Sequence, residues 1–161
     1  MKKDSILGNS TLNLNRIGLG CMGMSEFYSS FDETESINTL HKAIDLGVNF
    51  FDTADVYGSG ANEKLLGKAF KGRWNAVVVA TKFGVMRRPN GEWLGLNGQA
   101  EYIKKACDQS LLNLGTEAID LYYMHSQDST VAIEYIVGAM ADLVKQEKVK
   151  YLGLSEVGVC F

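Results

Sequence analysis

Four polar side chains that could take part in acid–base chemistry each lie at the end of a short apolar stretch of the sequence: Asp52, Lys82, His125 and Ser155. A phenol, Tyr57, follows Asp52 in the next connecting segment. An acid, an amine, an imidazole and a phenol held close together could transfer a proton to or from a reacting group. The chemistry therefore depends on whether the fold brings the ends of these stretches to one place.

The apolar stretches alternate with longer segments of helical periodicity, which is typical of an α/β fold with parallel strands. The pattern predicts five main strands, four helices and a small N-terminal hairpin around 12–14. The strands are predicted over 16–22, 48–52, 76–83, 119–124 and 149–155, and the helices over 33–46, 62–71, 99–114 and 130–148. Parallel strands place their carboxyl ends at one edge of a sheet, so the polar side chains are expected to meet there.

Capping residues set the predicted helix boundaries. Asp32, followed by Glu35, is typical of an N-terminal capping box, and Gly115 ends a helix in the usual C-terminal way. Asn62 and Glu63 fit the N-cap and the acidic first turn of the next helix better than they fit a chemical role.

Two architectures are compatible with this alternation: an open doubly wound sheet and a (β/α)8 barrel. Gly18, Gly20 and Gly23 match the GxGxxG spacing of the dinucleotide-binding loop found in open sheets. That loop must lead directly into a helix, whose N-terminus binds the phosphates, whereas the next predicted helix begins only at Glu33. The three glycines therefore do not identify such a loop.

Four segments, in order, resemble the motifs of the aldo-keto reductases. FDTADVYG at 51–58 is similar to the DTAxxY signature, and ATKFG at 80–84 to the family's lysine strand. DLYYMH at 120–125 is similar to the histidine strand, and LGLSE at 152–156 to the strand whose serine contacts the cofactor carboxamide. The resemblance implies a (β/α)8 TIM barrel with only the first five strands present, so that 1–161 is the N-terminal part of the barrel domain.

The resemblance also implies an NADPH-dependent oxidoreductase that reduces small aldehydes or ketones to alcohols by hydride transfer. Tyr57 would be the general acid, Lys82 would stabilise its deprotonated form, and Asp52 would hold the lysine in place. His125 would orient the carbonyl oxygen by hydrogen bonding. Read one at a time, these side chains fit a loop aromatic, a salt-bridge partner, a cap and a core histidine; the combination favours catalysis.

The cofactor of this implied reaction is NADPH, and part of its site falls within the chain. The positions that the resemblance assigns to cofactor binding are Gly20, Cys21, Met22, Asp52, Ser155 and Glu156. Many family members have Asn where Glu156 stands, which affects the detail of carboxamide contact. The family's phosphate and adenine contacts come from the last βα units, so the choice of NADP over NAD rests on the resemblance alone.

Composition limits the other classes of partner. The 161 residues carry a net charge of −3, which does not favour nucleic acid or an anionic membrane, and no apolar stretch is long enough to span a bilayer. Three widely spaced cysteines, Cys21, Cys107 and Cys160, indicate neither a disulfide framework nor a metal site. A cytoplasmic location is the expectation.

A five-stranded part of a barrel would have two unpaired edges, which predicts self-association. The apolar lining of the barrel would also lose part of its cover; the side chains predicted to lie there are Leu19, Val78, Leu121 and Leu152. The alternative function is that of a non-catalytic truncated or regulatory relative that acts through protein–protein association.

Overall fold

The computed structural model describes residues 5–7, 10–25, 32–88 and 90–158. Nine strands and four α-helices lie in these residues. The strands are β1 (Ser5–Ile6), β2 (Asn13–Leu14), β3 (Leu19–Gly20), β4 (Phe50–Asp52), β5 (Val78–Phe83), β6 (Val85–Arg87), β7 (Trp93–Leu96), β8 (Ile119–Met124) and β9 (Val149–Leu154). The helices are α1 (Glu33–Asp45), α2 (Ala61–Phe70), α3 (Ala100–Leu114) and α4 (Ile133–Lys145).

Five strands form one parallel sheet in the order β3-β4-β5-β8-β9, and the four helices lie in the connections between them. The predicted α/β alternation and the five main strands are confirmed. The first strand is much shorter than the predicted 16–22, because the chain leaves the sheet after Gly20 and forms a 3-10 turn at Met22–Met24. Within the described residues, β3 and β9 each pair with one neighbour only.

Two antiparallel hairpins flank the sheet. The pairing of β1 with β2 confirms the hairpin predicted around 12–14. The pairing of β6 with β7, which contains a register shift between Met86 and Arg87, was not predicted. This second hairpin follows β5 directly and therefore stands at the carboxyl edge of the sheet.

The hydrophobic core lies between one face of the sheet and the helices. Aromatic pairs fill it: the rings of Phe51 and Phe70 are 4.8 Å apart between centroids, and those of Phe83 and Tyr122 stack at 4.9 Å. All four side chains are fully buried. The core therefore joins β4, β5 and β8 to α2 through close aromatic contacts.

The helix-facing side of the sheet includes two residues that were predicted to line the barrel interior. Leu19 lies opposite Phe51 in the β3–β4 register, and Leu152 lies opposite Tyr122 in the β8–β9 register. Since cross-strand partners share a face, both leucines pack on the helix side, and the prediction is wrong for them. The alternate positions, which face the other side, include Val78 and Leu121.

The register of the sheet also aligns the strand ends. Gly20 lies opposite Asp52, which lies opposite Ala80, which in turn lies opposite Leu121. Lys82 comes two residues after Ala80, so it lies on the same face as Asp52 and further towards the carboxyl end of the strands. The side chains that follow the strands accordingly converge at one edge.

Candidate active site

The ammonium group of Lys82 is the centre of the carboxyl edge. Its Nζ donates to Asp52 Oδ1 at 2.5 Å and to the Thr53 carbonyl at 2.8 Å, and it lies 3.5 Å from Tyr57 Oη. The Lys82 side chain is only 10% exposed and that of Asp52 is 34% exposed. A buried ammonium needs such partners, and three contacts match its three donor hydrogens.

A tight turn positions Tyr57 beside this ammonium. After β4 the chain continues alongside β5. Thr53 N donates to Ala80 O, and Asp55 N donates to Lys82 O. The chain then forms a 3-10 turn at Tyr57–Gly60, in which Gly58 and Gly60 have φ values of 56° and 88°. A glycine tolerates this left-handed backbone without strain, so the turn can direct the Tyr57 ring to within 5.2 Å of Lys82 Nζ.

His125 reaches the same place from the end of β8. Its backbone N–H donates to the Phe83 carbonyl, and its ring meets that of Tyr57 edge-on, with centroids 5.8 Å apart. Burial, and then the nearby charge of Lys82, lower the pKa of His125 from its ordinary 6.5. The imidazole is therefore neutral at pH 7, and its Nδ1 is buried with no hydrogen-bond partner in the described part of the chain.

A cavity of about 380 Å³ lies in front of these groups. It is lined by Met22, Val56, Tyr57, Val85, Arg87, Trp93, His125, Ser126 and Glu156. Arg87 and Trp93 come from the β6–β7 hairpin and were not anticipated. Asn90-Gly91 between two apolar stretches is the turn signal that could have identified this hairpin.

The positions assigned to cofactor binding differ in whether a ligand in the cavity could reach them. Gly20 has no heavy atom within 4 Å of the place where a Cβ would stand, and Met22 and Glu156 line the cavity. Ser155 continues the sheet through its N–H, which donates to Met124 O, and is half-buried. Cys21 differs, because its side chain is fully buried in the core and a ligand in the cavity cannot reach it.

The surroundings of Cys21 also make its thiol unreactive. Burial, and then the charge of Asp52, raise its pKa from 9.0 to about 12. It therefore stays protonated near neutral pH, and its Sγ donates to the Leu19 carbonyl at 3.5 Å. A nucleophilic role for this cysteine is not compatible with these surroundings.

A model of the aldo/keto reductase family matches residues 16–160. The chain belongs to this family. Over 152 residues it is 43% identical to the aldo-keto reductase yakc [NADP(+)] of Schizosaccharomyces pombe and 42% identical to the probable aldo-keto reductase 1 of Glycine max. Each match covers 93% of this chain and 44% of the relative, so the chain spans less than half the length of these curated reductases.

Solved structures of aldo-keto reductases share the fold. The holo form of AKR11C1 from Bacillus halodurans superposes with a TM-score of 0.88 at 34% identity, over 96% of this chain and 50% of that one. The glycerol dehydrogenase AKR11B4 from Gluconobacter oxydans gives 0.83 at 28% identity, over 92% of this chain and 46% of that one. The five-stranded sheet is therefore part of a (β/α)8 barrel, and the barrel prediction is confirmed.

Glu63 is an acid in the first turn of α2, as predicted, whereas Asn62 is not the N-cap. The N-cap of α2 is Gly60, not Asn62, and both side chains are fully buried. Asn62 contacts residues at the ends of β3 and β4, and Glu63 contacts β5 and α3. The N-cap prediction for Asn62 is wrong because the N-cap lies two residues earlier, at Gly60, and the helix turns Asn62 towards the sheet.

Two other features are absent from the residues that the structure describes. No group of three or more histidine, cysteine, aspartate or glutamate side chains in them is placed to hold a metal ion. None of the helices there has the length and apolar character that crossing a membrane requires.

Proposed function

We propose that this protein reduces small aldehydes or ketones to alcohols with NADPH, and that Tyr57 is the general acid. The observation that carries the proposal is the position of Lys82 Nζ, 2.5 Å from Asp52 Oδ1 and 3.5 Å from Tyr57 Oη, beside the cavity that His125 also lines. Carbonyl reduction adds a hydride to carbon and a proton to oxygen, where negative charge develops. Membership of the aldo/keto reductase family supports this reaction.

Tyr57 is the side chain best placed to give that proton. A free phenol loses its proton only near pH 10, so it needs help to act near neutrality. The Lys82 ammonium stabilises the negative charge that develops on the phenol oxygen as the proton leaves. Asp52 and the Thr53 carbonyl keep the ammonium in position, because they accept its other two hydrogens.

His125 would orient the substrate. Its lowered pKa leaves a neutral imidazole, which can donate one hydrogen bond to a carbonyl oxygen in the cavity. A neutral donor in a partly buried site stabilises developing negative charge without competing with Tyr57 for the role of proton source.

The described residues fit the nicotinamide end of NADPH. When bound, NADPH would supply the hydride to the carbonyl carbon. The uncovered backbone at Gly20 allows close approach of a flat ring, and polar groups stand at the neighbouring strand ends. The side chains or backbone that would hold this end are Gly20, Met22, Asp52, Ser155 and Glu156, with Cys21 contributing only through its backbone. The S. pombe relative is named for NADP(+), which supports NADPH over NADH.

A non-catalytic role through protein–protein association was the alternative. The described residues give it no specific support, since Asp52, Tyr57, Lys82 and His125 keep the contacts that proton transfer requires. A cytoplasmic location stays a prediction from the sequence.

The decisive experiment compares Tyr57→Phe with its parent. Because the chain spans 44% of the S. pombe relative, the assay uses this chain continued by the remaining part of that reductase, called here the completed protein. We expect Tyr57→Phe to lower kcat for aldehyde reduction by about 10²- to 10⁴-fold while NADPH still binds. Absorbance of NADPH at steady state measures this loss. Tyr135→Phe, at a tyrosine that is 76% exposed, is the control. Equal turnover by Tyr57→Phe and parent would remove Tyr57 as the acid.

A further inference from the structure

The first turn of α2 lies behind the carboxyl edge and carries two polar side chains, Asn62 and Glu63, that are both 0% exposed. Burying an amide or a carboxylate is costly unless hydrogen bonds replace the lost water. Each of these side chains has such bonds on both of its polar atoms. The partners indicate what the pair does.

Asn62 joins the ends of two strands. Its Oδ1 accepts from Thr53 Oγ1 at 2.6 Å, beyond β4. Its Nδ2 donates to the carbonyl of Cys21 at 2.8 Å, beyond β3, and to Ser25 Oγ at 2.7 Å. The bond to Thr53 also closes the base of the 53–62 segment, which contains Tyr57.

Glu63 joins the next strand to a helix. Its Oε1 accepts from Thr81 Oγ1 in β5 at 2.7 Å, and its Oε2 accepts from Asn113 Nδ2 at the end of α3 at 2.8 Å. Gln109 Nε2 donates to Asn113 Oδ1 at 3.0 Å. That bond fixes which way the Asn113 amide points, so its donor faces Glu63.

Both bonds lie one residue away from the groups assigned to catalysis. Thr53 follows Asp52, and its carbonyl also accepts from Lys82 Nζ. Thr81 precedes Lys82, and Tyr57 lies on the segment that the Asn62–Thr53 bond closes. We propose that Asn62 and Glu63 are positioning residues that hold Tyr57 against Lys82, a role that rests on the proposed function.

The competing explanation is that these buried bonds only stabilise the fold. The chain offers controls at the amino ends of β4 and β5, where side chains also form hydrogen bonds to the backbone. Asn49, directly before β4, also uses its amide to bond backbone: its Oδ1 accepts from Asn15 N at 2.7 Å and its Nδ2 donates to Asn13 O at 2.8 Å. Asp120 of β8 accepts from Val79 N at 2.9 Å and from Lys150 Nζ at 2.7 Å.

The first arm measures the Tyr57–Lys82 contact in this 161-residue chain, with no dependence on activity. A nuclear Overhauser contact between the Tyr57 ring and the Lys82 side-chain methylenes is expected in the parent, since Nζ lies 5.2 Å from the ring centroid. We expect Asn62→Asp and Glu63→Gln to abolish or weaken it, and Asn49→Asp and Asp120→Asn to preserve it. Thr53→Val and Thr81→Val remove the bonds to Asn62 Oδ1 and Glu63 Oε1 from the strand side at nearly constant volume, should a helix variant not fold.

The second arm uses the completed protein. We expect Asn62→Asp and Glu63→Gln to lower kcat by about 10- to 100-fold, as a displacement of about 1 Å would, with the KM for the carbonyl changed much less. Asn49→Asp and Asp120→Asn should lower the unfolding temperature without this loss of kcat. In the Tyr57→Phe background, Asn62→Asp should have no further effect, because its action runs through Tyr57.

A second substitution that restores the lost hydrogen bond distinguishes a positioning role from a general loss of stability. Glu63→Gln leaves one of two donors without an acceptor, either the Asn113 amide or the Thr81 hydroxyl, and adding Asn113→Asp supplies an acceptor for the new amide. The double variant should regain most of the lost kcat and the nuclear Overhauser contact.

Failure of the positioning role and failure of the proposed function give different results. Helix variants that keep both kcat and the Tyr57–Lys82 contact, while losing stability as the controls do, would overturn the positioning role. A completed protein that reduces no aldehyde, or that is indifferent to Tyr57→Phe, would overturn the proposed function, and the contact measurement would still decide whether Asn62 and Glu63 position Tyr57.

Discussion

At the scale of single residues, Asp55 is a carboxyl group whose surroundings change its acid–base behaviour. Its Oδ1 is buried and has no hydrogen-bond partner among the described residues. Burial, and then the charge of Glu63, raise the pKa of Asp55 well above 3.8, although the Val56 N–H and Lys82 act in the opposite direction. Ionising a buried carboxyl group near a second negative charge is costly, so Asp55 favours its protonated form.

This pKa shift makes Asp55 a destabilising residue at neutral pH. A raised pKa means that the folded chain binds the proton more tightly than the unfolded chain, so stability falls as pH rises from about 3.8 through the folded pKa. We expect Asp55→Asn to raise the thermal midpoint at pH 7 and to have little effect near pH 3. Thermal unfolding followed by circular dichroism at both pH values measures this.

Asp142 provides the opposite case as a control. Its hydrogen bond to Lys145, and then the charge of that lysine, lower its pKa, so Asp142→Asn should bring no stabilisation at pH 7. A lower midpoint for Asp55→Asn at neutral pH would show that the Asp55 carboxylate is ionised and stabilising, against this expectation.

The positions of Asp52, Lys82, Tyr57 and His125 could be predicted from sequence because each lies at the end of a strand or in the segment that follows it. Asn62 and Glu63 could not, since an amide and an acid at the start of a helix fit capping equally well. Only the orientation of α2, which begins after the left-handed Gly60, decides that these side chains turn inwards. Their burial is a tertiary property that no local pattern contains.

At the scale of elements, the contact between α2 and α3 depends on Gly67. A Cβ there would lie 2.5 Å from the carbonyl oxygen of Leu114, which is backbone and cannot move aside easily. We expect Gly67→Ala to separate the helices and to cost about 1–3 kcal/mol of unfolding free energy. Urea unfolding of parent and variant measures the difference.

Gly138 of α4 is the matched control, because nothing lies within 4 Å of its Cβ position. Gly138→Ala should stabilise the chain by about 0.5–1 kcal/mol, the usual gain for removing glycine from a helix interior. If both alanine variants changed stability in the same direction, close packing at Gly67 would not be the cause.

The presence of each main helix and strand was easier to predict from sequence than its ends or the face on which its side chains lie. The capping of α1 is confirmed, since Asp32 Oδ1 accepts from Glu35 N at 2.8 Å. Leu19 and Leu152 were assigned to the wrong face, because short strands buried on both sides show no alternation that fixes which side is which. The sequence pattern does not predict the β6–β7 hairpin, because its strands have only 3 and 4 residues.

At the scale of the whole molecule, β3 and β9 each have one edge with no strand partner among the described residues, and these edges have consequences in solution. Unpaired backbone groups at a sheet edge recruit other strands, and exposed apolar side chains such as Leu154 lie beside one edge. We expect this 161-residue chain to form dimers or larger species. Light scattering over a tenfold concentration range tests this, and a sharp monomer peak with cooperative unfolding would show that five strands suffice.

The same chain should bind NADPH poorly. In the proposed function the described residues hold only the nicotinamide end, and the resemblance assigns the phosphate and adenine contacts to the last βα units of the family. Without those charge contacts, calorimetric titration should show no micromolar affinity for the isolated chain, whereas the completed protein should bind. Micromolar binding by the 161 residues alone would contradict this division of the cofactor site.

The β6–β7 hairpin also gives the protein an optical reporter. Trp93 is 65% exposed and lines the cavity, whereas Trp74, the other tryptophan in the sequence, packs edge-on against Phe70 at 5.9 Å between ring centroids. The two indoles therefore emit from different surroundings. A ligand entering the cavity would change the fluorescence of Trp93, and loss of the helix layer would change that of Trp74, so occupancy and unfolding can be followed separately in one sample.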